Sequence, residues 1–301
     1  MNIFKHPLLL RLALPLVLIS LCCQLPVHAQ SGKFSLSGGG IVNINNFNWS
    51  IAGNIQGQAP NILSELRFRQ ITSAGAWVCG YYAPVKQLHL GLYYQRNGVT
   101  DGKGTDTDYK DDNRANPTFQ QPFSSNKGYL DIFMADARFI FLQRANFNLG
   151  AGVFYKNTRQ HFVLLSPELT DLQSSYAARW RGPGLSATGN YMINRNISVG
   201  ASAAYSILSY SGEANWNLID IFMHPLSFAH TAKGHGMDYD LKLMYTANTT
   251  LSFLLAGMLE NMHISKGTDV AYLKNGMQSS TQFNGSGNTS YGIRLGAVIQ
   301  L

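Results

Sequence analysis

The segment Tyr291-Gly292-Ile293-Arg294-Leu295-Gly296-Ala297-Val298-Ile299-Gln300-Leu301 decides the fold. Side chains of an extended strand point alternately to its two faces. Tyr291, Ile293, Leu295, Ala297, Ile299 and Leu301 therefore share one apolar face, and Gly292, Arg294, Gly296, Val298 and Gln300 share a polar or small one. The same period of two recurs upstream. Ile197, Val199, Ala201, Ala203, Tyr205 and Ile207 alternate with Ser198, Gly200, Ser202, Ala204 and Ser206. Phe147, Leu149, Ala151, Val153 and Tyr155 form one face of 147–156, and Met237, Tyr239, Leu241, Leu243 and Tyr245 one face of 237–245.

A soluble sandwich also alternates, so two further features matter. Connections alternate short and long. Short joins are expected at Ala83–Gln87, Gln143–Asn146, Ile193–Asn196 and Ala247–Thr249, and long polar loops near 43–62, 97–127, 157–182, 209–235 and 264–288. That rhythm belongs to membrane barrels with short periplasmic turns and long external loops. The charges also gather on the polar face. Glu65, Arg67, Arg69, Asp136, Arg138, Asp238, Asp240, Lys242 and Arg294 are expected to line the lumen as a charge network, where opposite signs pair or a cationic ring favours anions. The expected fold is all-β, a closed antiparallel transmembrane β-barrel of about ten strands. They are placed near 34–42 (or 47–55), 63–82, 87–96, 128–142, 146–156, 183–192, 196–208, 236–246, 250–263 and 289–301. An even number of strands puts both termini on the periplasmic side, and closure satisfies the backbone groups that lipid cannot.

Composition agrees with this reading. Charged residues make up 13% of the 301-residue chain, against about 25% in typical soluble domains. Residues 1–29 read as a secretory signal: Lys5 and Arg11, an apolar stretch from Leu12 to Cys23, and a Val27-His28-Ala29 cleavage site. Ile19-Ser20-Leu21 before Cys22 is a poor lipidation signal. Residues 30–301 then form one barrel domain with Cys79 as its lone cysteine, which excludes a disulfide scaffold. No apolar run of transmembrane-helix length follows the signal.

Several motifs resemble a known family. They are Asn48-Trp49-Ser50-Ile51-Ala52-Gly53-Asn54, Pro60-Asn61-Ile62-Leu63-Ser64-Glu65-Leu66, Asp106-Thr107-Asp108-Tyr109, Ala178-Arg179-Trp180-Arg181-Gly182-Pro183, Ala214-Asn215-Trp216-Asn217-Leu218 and His224-Pro225-Leu226-Ser227-Phe228-Ala229-His230. In this order they resemble the Protochlamydia outer membrane protein family, which is related to the omptins. The resemblance implies an omptin-like ten-stranded barrel. Omptins are outer-membrane endoproteases in which an Asp-x-Asp pair faces an Asp-x-His pair across the barrel mouth. Asp106 and Asp108 match the first pair, and are the candidate catalytic residues. The stretch expected to hold the second pair reads Gly212-Glu213-Ala214-Asn215-Trp216-Asn217, without Asp-x-His. Half a site lacks its general base, so no enzyme activity is expected. A porin-like or structural role comes first, a divergent omptin-type protease second, and a surface adhesin using external loops such as 97–127 third.

Other constellations carry less. Asp106, Asp108, Asp111 and Asp112 make an acidic loop without the glycine and distal Glu of a calcium loop. His224, His230 and His235 are spaced loosely for zinc and have no cysteine nearby. No metal or cofactor is expected. Tyr81, Tyr82, Tyr93, Tyr94, Tyr191, Tyr245 and Trp180 are expected in interfacial girdles. The expected partners are outer-membrane lipid, lipopolysaccharide phosphates and, if the lumen is open, small solutes. Nucleic acid is not expected. The expected location is the bacterial outer membrane, with loops extracellular and termini periplasmic.

Overall fold

The computed structural model describes residues 33–301, and the signal-peptide expectation for 1–29 lies outside them. Within Lys33–Leu301, one compact unit, the chain forms β1 (Lys33–Ile51), β2 (Ser64–Val85), β3 (Leu88–Asp111), β4 (Ala115–Ser124), β5 (Gly128–Gln143), β6 (Phe147–Leu164), β7 (Ser174–Met192), β8 (Ile197–Asn215), β9 (Phe228–Thr246), β10 (Leu251–Ile264), β11 (Gly267–Tyr272) and β12 (Gln278–Gln300). All belong to one antiparallel sheet of 12 strands. β4 pairs only with β3, and β11 is a short strand between β9 and β12. The remaining ten run in order around a ring that β1 closes against β12, from Ser35 opposite Gln300 to Ser50 opposite Gly285.

Short turns hold one end. Asn194 Oδ1 accepts from the backbone N–H groups of Asn196 and Ile197, each at 2.9 Å, and Asn248 Oδ1 does the same for Thr250 and Leu251 at 2.9 Å. These Asx turns explain why asparagine recurs at tight joins. Near this end the outer wall is apolar: Leu92, Leu185, Ile207, Leu241, Ile293 and Leu295 are exposed by 59–65%. Such a belt is expected where the wall meets hydrocarbon. On β8 the belt ends after Ile207, and on β9 it begins at Met237.

Beyond the belt the expected boundaries need correction. A strand of about 9–11 residues crosses a bilayer, yet β3 has 24 residues and β8 and β9 have 19 each. Most of the stretches expected as loops near 97–127, 157–182, 209–235 and 264–288 continue the ladders beyond the belt. The two alternatives for the first strand, 34–42 and 47–55, are both overlapped by β1. Outside lipid neither face needs to be uniformly apolar, so alternation fades while pairing continues.

Against β1 the register changes once, between Asn45 opposite Ile71 and Phe47 opposite Phe68, so β2 carries one extra residue. β3 carries a matching one, since Thr72 lies opposite Asp101 but Ser73 opposite Val99. Gln70 has φ 53°, and its N–H donates to Asn46 Oδ1 at 3.0 Å. An extra residue flips every side chain beyond it to the other face. Ile71, Ser73 and Trp77 face inward on one side of this bulge, and Leu66 and Phe68 on the other. A left-handed backbone is costly for a side chain, by about 1–2 kcal/mol. Gln70→Gly is therefore expected to leave stability unchanged or raise it. Gln70→Val is expected to lower it by about 1 kcal/mol or more. Urea unfolding of the refolded barrel checks both; a valine variant as stable as wild type would contradict the bulge.

Candidate functional site

The lumen is filled at three levels. Nearest the short turns lie ion pairs. Lys156 on β6 reaches Asp238 on β9 at 2.9 Å and also pairs with Glu260 on β10. Arg294 on β12 pairs with Asp240 on β9, and its guanidinium lies 5.4 Å from the Trp77 ring centre. Arg138 and Asp136 on β5 are 3.4 Å apart. Next comes a belt of amides. Gln95 Nε2 and Asn97 Nδ2 on β3 donate to Asn43 Oδ1 on β1 at 3.1 and 2.9 Å, and Tyr93 Oη donates to Gln95 Oε1 at 2.6 Å. On the other side Gln160 Nε2 of β6 donates to Asn288 Oδ1 of β12 at 3.0 Å. The third level is aromatic. Phe47 on β1 lies 5.8 Å from Phe162 on β6, 5.6 Å from Tyr176 and 6.1 Å from Trp180 on β7. Phe68 on β2 lies 4.9 Å from Phe162. These rings come from opposite walls of a ten-strand ring, meet in the middle, and are buried.

Several expected placements change. Glu65, Arg67 and Arg69 do not join the lumen charges; the Gln70 bulge turns them to the outer face while Leu66 and Phe68 face inward. Glu65 instead pairs with Arg67 at 2.7 Å and Arg114 at 2.9 Å. Asp136, Arg138, Asp238, Asp240 and Arg294 are brought into lumenal ion pairs. Lys242 has no salt bridge among the described residues; Gly200 leaves room for its side chain, since a Cβ there would meet Lys242 Cε at 2.4 Å. Lys156 and Glu260 were not singled out from the sequence. Their signal is parity: Gly150, Gly152, Phe154 and Lys156 share a face of β6, opposite Val153 and Tyr155. Of the expected girdle, Tyr82, Tyr94, Tyr191 and Tyr245 are exposed on the wall, whereas Tyr81, Tyr93 and Trp180 point into the barrel. Tyr93 and Tyr94 are neighbours in sequence, so only one of them can face lipid.

At the long-strand end Asp106 and Asp108 lie opposite Leu66 and Ser64 and share their inward face. Trp216 Nε1 donates to Asp106 Oδ2 at 3.2 Å, while Asp106 Oδ1 is buried without a partner. Burial and the charge of Asp108 raise the Asp106 carboxyl to about 7, against weaker help to the anion from Trp216 and the Thr107 N–H. Burial also raises Asp108, opposed by the Ser64 hydroxyl.

A histidine–carboxylate contact missing from the sequence motif exists elsewhere. His230 Nε2 on β9 lies 3.1 Å from Asp269 Oδ1 on β11, and its Nδ1 shares a 2.7 Å hydrogen bond with Tyr176 Oη. The sequence does not point to Asp269, because its pairing to His230 depends on β11 lying beside β9. His230 is fully buried, with its ring 4.4 Å from that of Phe283 and 4.8 Å from that of Trp49. Burial lowers its pKa, against the pull of Asp269. The three histidines do not converge. His224 is exposed and bonds Asn215 at 2.8 Å, and His235 stacks on Tyr205. In the acidic loop, Asp112 Oδ1 accepts from Asn61 N–H at 2.7 Å and Asp111 Oδ2 from Asn116 at 2.6 Å.

The model of one protein family matches residues 44–301. The chain belongs to the Protochlamydia outer membrane protein family. No curated protein matches it in sequence. Among solved structures, the outer membrane protease OmpT of Escherichia coli is similar over 92% of this chain and 99% of its own, with TM-score 0.68 and 14% identity. The translocator domain of the autotransporter NalP from Neisseria meningitidis matches with TM-score 0.41 and 10% identity over 97% and 95%, and OprG of Pseudomonas aeruginosa with 0.37 and 9% over 90% and 97%. Of these three, the OmpT likeness alone is close enough to bear on the fold, and at 14% identity it bears on nothing beyond the fold.

In this family member two consequences of the site are measurable. Removing Lys156 leaves two inward carboxylates without their cation, and breaking a buried pair costs about 3–5 kcal/mol. Lys156→Ala is expected to lower the urea midpoint accordingly; an unchanged midpoint would sink the buried network. Asp106 holds its proton more tightly when folded than unfolded. It therefore costs the folded state stability as pH rises from its ordinary value near 4 to about 7, and the cost then levels off. Asp106→Asn should be more stable than wild type at pH 8 and equal to it below pH 4. A constant difference at both pH values would contradict the assignment.

Proposed function

We propose that this outer-membrane barrel is a closed, structural one, and that its work is done at its surface rather than through its lumen. The carrying observation is the contact of Phe47, Phe68, Phe162, Tyr176 and Trp180 across the ring. Ten strands enclose little room compared with the 16–18 that leave an aqueous channel. Here the room is taken by rings, amides and ion pairs, which favours the structural half of the expectation over passive diffusion of small solutes. In this reading the long-strand end is extracellular and the short turns and termini are periplasmic, following the usual asymmetry of such barrels. Rigid ladders then carry the rim away from the lipid, a platform suited to an adhesin-like surface role. Arg159 and Arg179 lie opposite one another, with Arg181 two residues on. These arginines suit lipopolysaccharide phosphates on the outer wall. Planar-bilayer recordings on the purified protein are expected to show no discrete conductance steps; regular open-channel steps would overturn the closed reading.

A second reading, hydrolysis at the mouth, is favoured by one observation: Asp106 holds a proton near neutral pH beside Asp108. It requires Trp216 to leave Asp106 and a base other than the buried His230. Cleavage of dibasic peptides that is lost in Asp106→Ala would establish it. Wild-type protein inert toward such peptides would remove it.

A further inference from the structure

On the outer face of β2 and β3, beyond the Gln70 bulge, lies a cavity of about 420 Å³. Arg69 and Lys103 stand directly opposite each other across the two strands, and both line it. Like charges in that position repel. Among the described residues neither forms a salt bridge. Two steps further along, Glu65 is buried at the cavity wall under Arg67 and Arg114. Burial opposes its ionisation, and the hydrogen bonds of Arg114 and Arg67 outweigh this and hold its carboxyl below the ordinary value. Glu65 therefore neutralises one of those two cations, and the cluster of Arg67, Arg69, Lys103 and Arg114 keeps a net positive charge. The nearest other carboxylate along the strand, Asp101, accepts from its neighbouring Gly102 N–H at 2.8 Å. Thr105, Thr107, Tyr109 and Gln120 add hydroxyl and amide groups to the same wall.

We propose that this cavity binds a phosphate monoester or diester, with Arg69 and Lys103 as the charge-bearing contacts and the Glu65–Arg67 ion pair in its lining, Arg114 reaching Glu65 from outside it. An anion between two opposed, unpaired cations removes their repulsion and forms charge-assisted hydrogen bonds. Guanidinium groups suit phosphate geometry, and an ammonium adds a mobile point charge. The site lies on the β2–β3–β4 wall, separate from the Arg159–Arg179–Arg181 group on β6 and β7 and from the mouth carboxylates. It does not depend on whether the lumen conducts. The phosphate has two possible sources, a free ligand or a lipid headgroup.

The test uses the full barrel and an Arg69→Gln/Lys103→Gln variant, with the Lys103→Gln single variant should the double one not fold. Calorimetry with glucose 6-phosphate, against glucose as blank, reads the free source. The unfolding midpoint in bilayers of phosphatidylcholine, with and without phosphatidylglycerol, reads the headgroup source. Saturable glucose 6-phosphate binding that weakens roughly tenfold or more in the variant supports a free ligand. A midpoint raised by phosphatidylglycerol in wild type only supports a headgroup. The site is overturned if the variant equals wild type in both measurements, or if wild type responds in neither.

Discussion

The pairing of β1 with β12 is what the rest of the structure depends on. From Ser35 opposite Gln300 to Ser50 opposite Gly285, it removes the two sheet edges that hydrocarbon would leave without partners. Once the ring is closed with ten strands, its radius follows, and so does the crowding inside. Inward side chains then have to meet others from the far wall. Lys156 meets Asp238 and Glu260, Gln160 meets Asn288, and Phe47 meets Phe162. Most charges placed in such a space are partnered because isolated ones are expensive, Lys242 being without a salt bridge among the described residues. The aromatic level has no such demand and packs as an ordinary core.

Closure also separates two jobs along each strand. Near the short turns the wall must satisfy lipid outside and ion pairs inside, and alternation is strict. Beyond the belt only the inside is constrained. There the outer face is free to carry charge, as at Glu65, Arg67 and Arg69, and the ladders continue only because their backbones pair. The buried mouth carboxylate Asp106 and the enclosed His230–Asp269 contact both belong to this upper region, where packing rather than lipid decides the environment.

That division explains what the sequence made legible. The strands near 197–207, 237–245 and 291–301 were readable because their outer faces are apolar without a break. So were the short turns, the ring of ten and the family. The upper halves of β3, β7 and β8 look like loops in the sequence; on β8, for example, Ser209, Ser211 and Glu213 outside give no contrast with Gly212 and Ala214 inside. The bulge did leave a trace: apolar residues fall at Leu66, Phe68 and then Ile71, a step of three where two is the rule. Unbroken alternation through that step would put Glu65, Arg67 and Arg69 in the lumen, whereas the bulge turns them outward. The pairing of His230 with Asp269 left no trace, since it arises only when β11 docks beside β9.

The central claim is that the lumen is packed shut along its length. Cys79, the lone cysteine of the described residues, reports on this directly: it faces inward on β2 beside Trp77 and Tyr81 and is buried. A small, charged, membrane-impermeant thiol reagent applied to the folded barrel at mildly alkaline pH should leave Cys79 unmodified for hours and modify it fully once the barrel is unfolded. Rapid modification in the folded barrel would mean that water and solutes reach the lumen, and would contradict the account.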